Sequence, residues 1–249
     1  MYFKRFPMVY YNFGDNEANT IFPNITAYVD IIDQVKQEVS FYDKYTILDG
    51  DRPDTVSQML YDTPDFHWTF FAMNDGLRES GWPLASHKLR ALVKKRYPHR
   101  TVTTESNIAS IFLPGTPVVG KTSGTTGIVI ERNLDLGQIV IASDKNGAGL
   151  NNNFGQTEQI AGGTTAEEQT VQLATLIGES EQFNAPLYYK NTSGDIVDID
   201  PYNQITSGLI PTTVMEDNMD FNDRLKEIII IKPDSVTSVV SEYFRLLKD

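Results

Sequence analysis

The sequence predicts an α+β chain: a module of strands and short helices, then a small β-barrel module, flanked by an extended N-terminal arm and a C-terminal strand and helix. Three observations carry this. Residues 45–98 pass from the strand-like Tyr45-Thr-Ile-Leu through two short runs of helically spaced apolar residues to a Trp-Pro exit. Residues 111–160 are rich in Gly, Thr and Val, with β-branched runs parted by turn residues. Near the end, an apolar run, Glu227–Ile231, precedes a stretch of helical spacing. The expected divisions are an arm at 1–23, the helical module at 24–100, the barrel-like module at 101–160, an irregular arm at 161–220, and the C-terminal strand and helix at 221–249.

Residues 1–20 are dense in aromatics, Asn and Gly, which suits an extended arm that lies on something else. Phe3, Phe6, Tyr10 and Tyr11 are candidate interface anchors; they equally suit a partial core of the first module. Ile25, Ala27, Val29 and Ile31 alternate as in a strand, and the residues up to Asp43 admit strand or helix. Tyr45–Leu48 reads as a strand ended by Asp49-Gly50-Asp51. Pro53 sits where a first helical turn tolerates proline, with Asp51 as a possible cap. Val56, Met59 and Leu60 then share a face. Thr63-Pro64-Asp65 repeats the start signal, Phe66, Phe70 and Met73 recur at helical spacing, and Asn74-Asp75-Gly76 stops the second helix. Both helices are too short to stand alone and must pack on the strands. Tyr45, Phe66, Trp68, Phe70 and Trp82 are the expected module core, although Trp68 and Trp82 could instead form a sugar platform. Residues 87–97 read as a helix with Leu89, Leu92 and Val93 on one face.

Val118-Val119, Ile128–Ile130 and Ile139–Ile141 are β-branched runs separated by turns, a pattern that suits a strongly bent barrel of SH3-like size. Residues 161–182 are polar with one helical patch at Val171, Ala174 and Leu176-Ile177. Residues 183–215 read as a meandering arm. Glu227–Ile231 reads as a buried strand, and Pro233-Asp234 opens a helix with Val236, Val239, Val240, Tyr243 and Leu247 on one side.

Composition narrows the function. The chain has 249 residues, 40% of them hydrophobic, enough to bury a core. No apolar run reaches membrane-spanning length, and the N-terminus lacks the pattern of a signal peptide. The sequons at Asn24 and Asn191 are therefore read as chance. The absence of cysteine removes disulfides, thiol catalysis and cysteine-ligated zinc, and fits synthesis in a reducing compartment. His67, His87 and His99 are too few and too scattered for a His-rich metal site. Asp195, Asp198 and Asp200 lack the central Gly and terminal Glu of a calcium loop.

Charge is uneven. Residues 1–100 hold 12 Lys and Arg against 13 Asp and Glu, and residues 101–249 hold 9 against 20, which gives −1 and −11 of the net −12. The acidic half should repel nucleic acid. One basic run stands out just before it: Lys88, Arg90, Lys94, Lys95, Arg96 and Arg100. Such a run can be a phosphate patch, a solvated face, or a surface that docks on an acidic neighbour; Lys94, Lys95 and Arg96 are its candidate interface residues.

Gly115–Thr122 matches the spacing G-x-x-x-x-G-K-T of a phosphate-binding loop. That chemistry needs a helix opening at the Lys, its amides facing the phosphates. Ser123-Gly-Thr-Thr-Gly follows Lys121 and favours a hairpin instead, and Pro117 has no amide hydrogen to give. Ser123-Gly-Thr also lacks the setting of a nucleophile elbow. No catalytic constellation, cofactor motif or metal motif emerges, so a binding or assembly protein is expected rather than an enzyme.

Tyr45-Thr-Ile-Leu-Asp-Gly-Asp followed by Asp54-Thr-Val-Ser-Gln-Met-Leu-Tyr resembles the opening of a LysM module, a βααβ fold. Asp65-Phe-His-Trp68, Met73-Asn-Asp75 and Trp82-Pro-Leu84 resemble more particularly the LysM-like baseplate wedge proteins of contractile-tailed bacteriophages. Tyr2–Pro7 looks like that family's N-terminal arm. Phe112-Leu-Pro-Gly115 with Ser123–Val129 looks like its following β-module, and Asn222–Glu227 with Ile231–Val236 like its C-terminal strand and helix. The resemblance implies a LysM-like module followed by an SH3-like barrel in a structural subunit of the virion. Such a subunit joins neighbouring wedge proteins around a sixfold baseplate, beside the sheath-initiating subunit, without cofactor, membrane or nucleic acid. The inserted Arg52-Pro53 lies close to where a LysM glycan groove would form and argues against peptidoglycan binding. Peptidoglycan binding and a phosphate-loop nucleotide-binding protein stand as the alternative readings.

Overall fold

The computed structural model describes residues 8–11, 14, 20–23, 31–142, 153–203 and 206–246. In chain order these form β1 (Met8–Tyr11), β2 (Thr20–Pro23), α1 (Ile31–Gln37), β3 (Tyr42–Thr46), α2 (Pro53–Tyr61), α3 (Trp68–Met73), α4 (Asp75–Ser80) and α5 (Ser86–Arg96). Then come β4 (Arg100–Thr104), β5 (Pro117–Gly120), β6 (Thr126–Asn133), β7 (Gln138–Ala142), β8 (Gln159–Gly162), α6 (Glu168–Val171) and β9 (Leu173–Glu181). The chain ends with β10 (Pro186–Lys190), β11 (Ile196–Val197), β12 (Ile210–Thr213), α7 (Val214–Arg224), β13 (Glu227–Ile231) and α8 (Pro233–Leu246). The fold is mixed α+β, with a closed six-stranded barrel and further small sheets. Contacts divide it into two units, residues 1–86 with 221–249, and residues 87–220.

The first unit is closed by the two ends of the chain. β3 pairs antiparallel with β13, from Tyr42 opposite Ile231 to Thr46 opposite Glu227. The C-terminal strand, expected in a segment of its own, is therefore the sheet partner of the strand that precedes α2. α8 presents Val236, Val239, Val240, Tyr243 and Phe244 to the same core as Val56, Phe70, Met73, Leu77 and Ile228–Ile231. Proline at its first turn and αL geometry at Asp62 (φ 56°) bound α2. Thr63 accepts a hydrogen bond from Asp65 N and starts a single 3-10 turn that leads into α3. Asn74 ends α3, but the chain restarts at once as α4 rather than turning away. Ile31, expected in a strand, opens α1, because Ile32 and Val35 take the helical spacing onto the core. The remainder of that expected strand, residues 25–30, lies outside the described residues.

Side-chain hydrogen bonds fix the register of helices on strands. Asn74 Oδ1 accepts from Ile229 N at 2.9 Å, while its Nδ2 donates to Ile229 O at 2.7 Å and Phe70 O at 2.8 Å. Tyr61 donates to Ile231 O at 2.8 Å. Asn222 bridges Leu84, accepting from its N–H at 2.8 Å and donating to its carbonyl at 3.0 Å. This last pair holds together the two points at which the chain leaves and re-enters the first unit.

In the second unit the barrel runs in the order β4-β7-β6-β5-β8-β9, and β4 closes it between β7 and β9. Val102, Val118, Val129, Ile139, Ile141, Ile160, Ala174 and Leu176 fill its interior. The barrel extends to Glu181, so the expected boundary at 160 falls inside it. The patch read as helical at 171–177 is mostly β9. Its spacing fits both periods, and closure decides, with Ala174 and Leu176 inward and Thr175 and Ile177 outward. The expected meandering arm holds a three-stranded sheet, β11-β10-β12. Leu89 and Val93 of α5 pack with Val214 and Met215 of α7 in a separate small core.

Candidate assembly surfaces

The module-core residues read from sequence lie together. Trp68 and Phe70 are buried, and Tyr45, Phe66 and Trp82 pack half-buried against the same cluster. Phe70 sits between the rings of Tyr61 (5.8 Å) and Trp82 (5.9 Å), and Trp68 contacts Tyr243 at 5.0 Å. The Trp82 indole donates to Asp51 O at 2.8 Å. Both Trp rings are thus engaged by the protein itself, which leaves little of a sugar platform.

Of the N-terminal anchors, Phe3 and Phe6 lie outside the described residues. Tyr10 and Tyr11 fall on β1, whose register with β2 sets Met8, Tyr10 and Ile21 on one face and Val9, Tyr11 and Phe22 on the other. All six are exposed, Tyr10 by 70%. A two-stranded ribbon apolar on both faces is marginal by itself and gains stability by being covered. Ile21 and Phe22 carry no mark in the sequence, because the partner strand shows only once the register is known.

Lys94, Lys95 and Arg96 are exposed in the last turn of α5. There they suit the negative end of the helix dipole, and Lys94 Nζ lies 5.1 Å from the Phe183 ring. Leu92, expected to share the buried face of Leu89 and Val93, is 43% exposed. It lies between Lys88 and Lys95 on the outward stripe, since the buried face is narrow. Arg100 leaves this group: it belongs to β4 and pairs with Glu179 at 3.5 Å.

A second charged surface lies at the edge of the β11-β10-β12 sheet. Asp195, Asp198 and Asp200 are exposed there, beside Ile196, which is 64% exposed. Asn191 donates to Asp195 at 3.2 Å, and Asp200 accepts from Tyr202 N at 2.9 Å. Among the described residues no cluster of His, Asp or Glu is arranged to hold a metal ion.

The phosphate-loop spacing resolves into a hairpin. β5 ends at Gly120, a turn follows, and β6 begins at Thr126. The amides after Lys121 are already engaged by an anion of the chain. Glu158 Oε2 accepts from Thr122 N (3.0 Å) and Ser123 N (2.9 Å), and Oε1 accepts from Ser123 Oγ (2.8 Å) and Gly155 N (2.5 Å). Burial pushes the Glu158 pKa up, but the Ser123, Gly155 and Thr122 donors outweigh it and hold the carboxyl below its ordinary range. A Cβ at Gly120 would press on Ser123 Oγ and lie 2.8 Å from both Glu158 oxygens, so the glycine admits the carboxylate. Sequence alone gave no sign of Glu158.

No helix of the described residues is long and apolar enough to cross a membrane. No family model matches the chain, and no curated protein matches it.

Proposed function

We propose that the chain is a structural subunit of a contractile phage tail baseplate, a wedge protein that joins its neighbours in a sixfold ring beside the sheath-initiating subunit. It works by surface complementarity and carries out no reaction. The observation that carries this reading is the pairing of β3 with β13 around α2 and α3. It supports a LysM-like βααβ module whose second strand arrives only after the unit 87–220. The motifs that resemble the wedge family are its framework: Asp65–Trp68 opens α3, Met73-Asn-Asp75 supplies the Asn74 tie to β13, and Trp82–Leu84 meets Asp51 and Asn222. The closed barrel of residues 100–181 fits the SH3-like module of the same reading, with one strand more than the usual five. The apolar ribbon β1–β2 fits the arm that such a subunit lays on a neighbour.

The test is co-expression with the other wedge proteins and the sheath-initiating subunit of the same phage, followed by size-exclusion chromatography. The chain is expected to migrate in the wedge complex. A chain that stays apart from every wedge component, or that instead binds peptidoglycan saturably, overturns the reading.

A further inference from the structure

The outward stripe of α5 carries one cation that the helix dipole disfavours. Lys88 stands in the first turn, where no acid is present and a cation opposes the helix dipole. Elsewhere Lys36, Arg52, Arg78, Arg100, Lys226 and Arg245 each meet a carboxylate. Among the described residues none of Lys88, Arg90, Lys94, Lys95 and Arg96 does so; Lys44, Lys121, Arg132, Lys190, Arg224 and Lys232 do not either, but α5 gathers its five cations on a single helix, in a protein of net charge −12. Lys88, Leu92, Lys95 and Arg96 recur at i, i+4, i+7 and i+8, so an exposed leucine sits among cations on one stripe. The edge beside β11 has the opposite character: Asp195, Asp198 and Asp200 are exposed in the same short segment as the exposed Ile196, and no cation pairs with these acids among the described residues.

We infer that copies of this chain bind head to tail, the α5 stripe of one against the Asp195–Asp200 edge of the next. Leu92 meets Ile196 at the centre, and the cations meet the aspartates around it. The two surfaces differ, so each copy keeps one of each free for a further neighbour, and the contact closes into a ring or propagates. An acidic protein surface fits this stripe better than nucleic acid does, because the stripe carries the exposed aliphatic Leu92 among its cations and a phosphate backbone offers that side chain no apolar partner. The inference names a partner for the assembly reading and rests on it for the ring. Its test uses the purified full chain alone, so its failure leaves the co-migration result standing.

Sedimentation velocity of the full chain over a concentration series at 20 mM salt is expected to show reversible self-association, weakened about tenfold or more at 0.5 M salt. The variant Lys88→Glu/Lys95→Glu/Arg96→Glu and the variant Asp195→Lys/Asp198→Lys/Asp200→Lys are each expected to be monomeric with unchanged circular dichroism. Mixed together they are expected to associate again, since every contact is then complementary. A parent chain that is monomeric at low salt, association indifferent to both reversals, or variants that fail to recover on mixing overturns the inference. So does a monomeric parent that binds a single-stranded oligonucleotide and loses that binding on reversal of α5, which assigns the stripe to nucleic acid.

Discussion

Glu158→Gln removes one charge from the hairpin and almost no volume, so its effect isolates the hydrogen bonding described above. Four donors converge on the two carboxylate oxygens. A glutamine must turn its NH2 toward one pair. Placed at Oε2 it faces two backbone N–H groups. Placed at Oε1 it faces Gly155 N, while the Ser123 hydroxyl can reverse to accept, as it already does from Thr125 N at 3.1 Å. The second placement is the cheaper: the N–H of Gly155, an exposed residue, loses its partner at about 1 kcal/mol, the low end for an unmet donor, and the remaining bonds lose their charge assistance. The expected loss is about 2 kcal/mol, or roughly 4–8 °C in Tm for a chain of this size. Trp68 and Trp82 both belong to the other unit, so the readout is far-UV circular dichroism under urea together with hydrogen exchange of the barrel amides. The lowered pKa of Glu158 means that its contribution is fully present above the ordinary glutamate value of 4.5 and is lost as pH falls through the lower folded value. The gap between parent and variant should therefore be full at pH 7 and narrow toward strong acid. A variant within about 0.5 kcal/mol of the parent at pH 7, or a gap that widens in acid, refutes the reasoning.

Three other changes probe the framework. Gly120→Ala, whose Cβ presses on Ser123 and the Glu158 carboxylate, should destabilise the same hairpin by about 1–3 kcal/mol in urea melts. Phe70→Ala opens a cavity between Tyr61 and Trp82 and should cost about 3–5 kcal/mol, read by tryptophan fluorescence. Because Asn222 ties the exit of the first unit to its re-entry at Leu84, residues 1–86 joined to 221–249 by a short Gly/Ser linker should fold alone with cooperative unfolding. Residues 1–86 without the C-terminal part should remain unfolded, since they lack β13 and α8.

Local signals were legible in the sequence where one period dominated. The spacing from Phe66 to Met73, the β-branched runs of β5 to β7 and the face of α8 each admit a single geometry, and α3, three barrel strands and α8 lie where they point. What sequence could not show was decided by distant partners. Nothing near Tyr42 says that its strand pairs with Ile231. Residues 171–181 suit helix and strand alike until the barrel needs a closing strand. Two helix starts could have been found: Thr165 with Glu168 and Thr213 with Glu216 are capping boxes whose side chains and amides bond reciprocally. The candidate surfaces divide in the same way. The basic run of α5 is plain in the sequence, whereas the exposure of Leu92 and the ribbon partners Ile21 and Phe22 depend on packing and register.

On the proposed wedge reading the chain comes from a contractile-tailed phage, and quantitative mass spectrometry of that phage's purified tail particles asks directly whether the chain is built into the baseplate. The wedge reading requires the chain in every particle, in a fixed ratio to the other wedge proteins. It also requires baseplates to fail when the chain is removed by a stop codon. Complete, infectious particles assembled without the chain would leave the proposed function with no foundation.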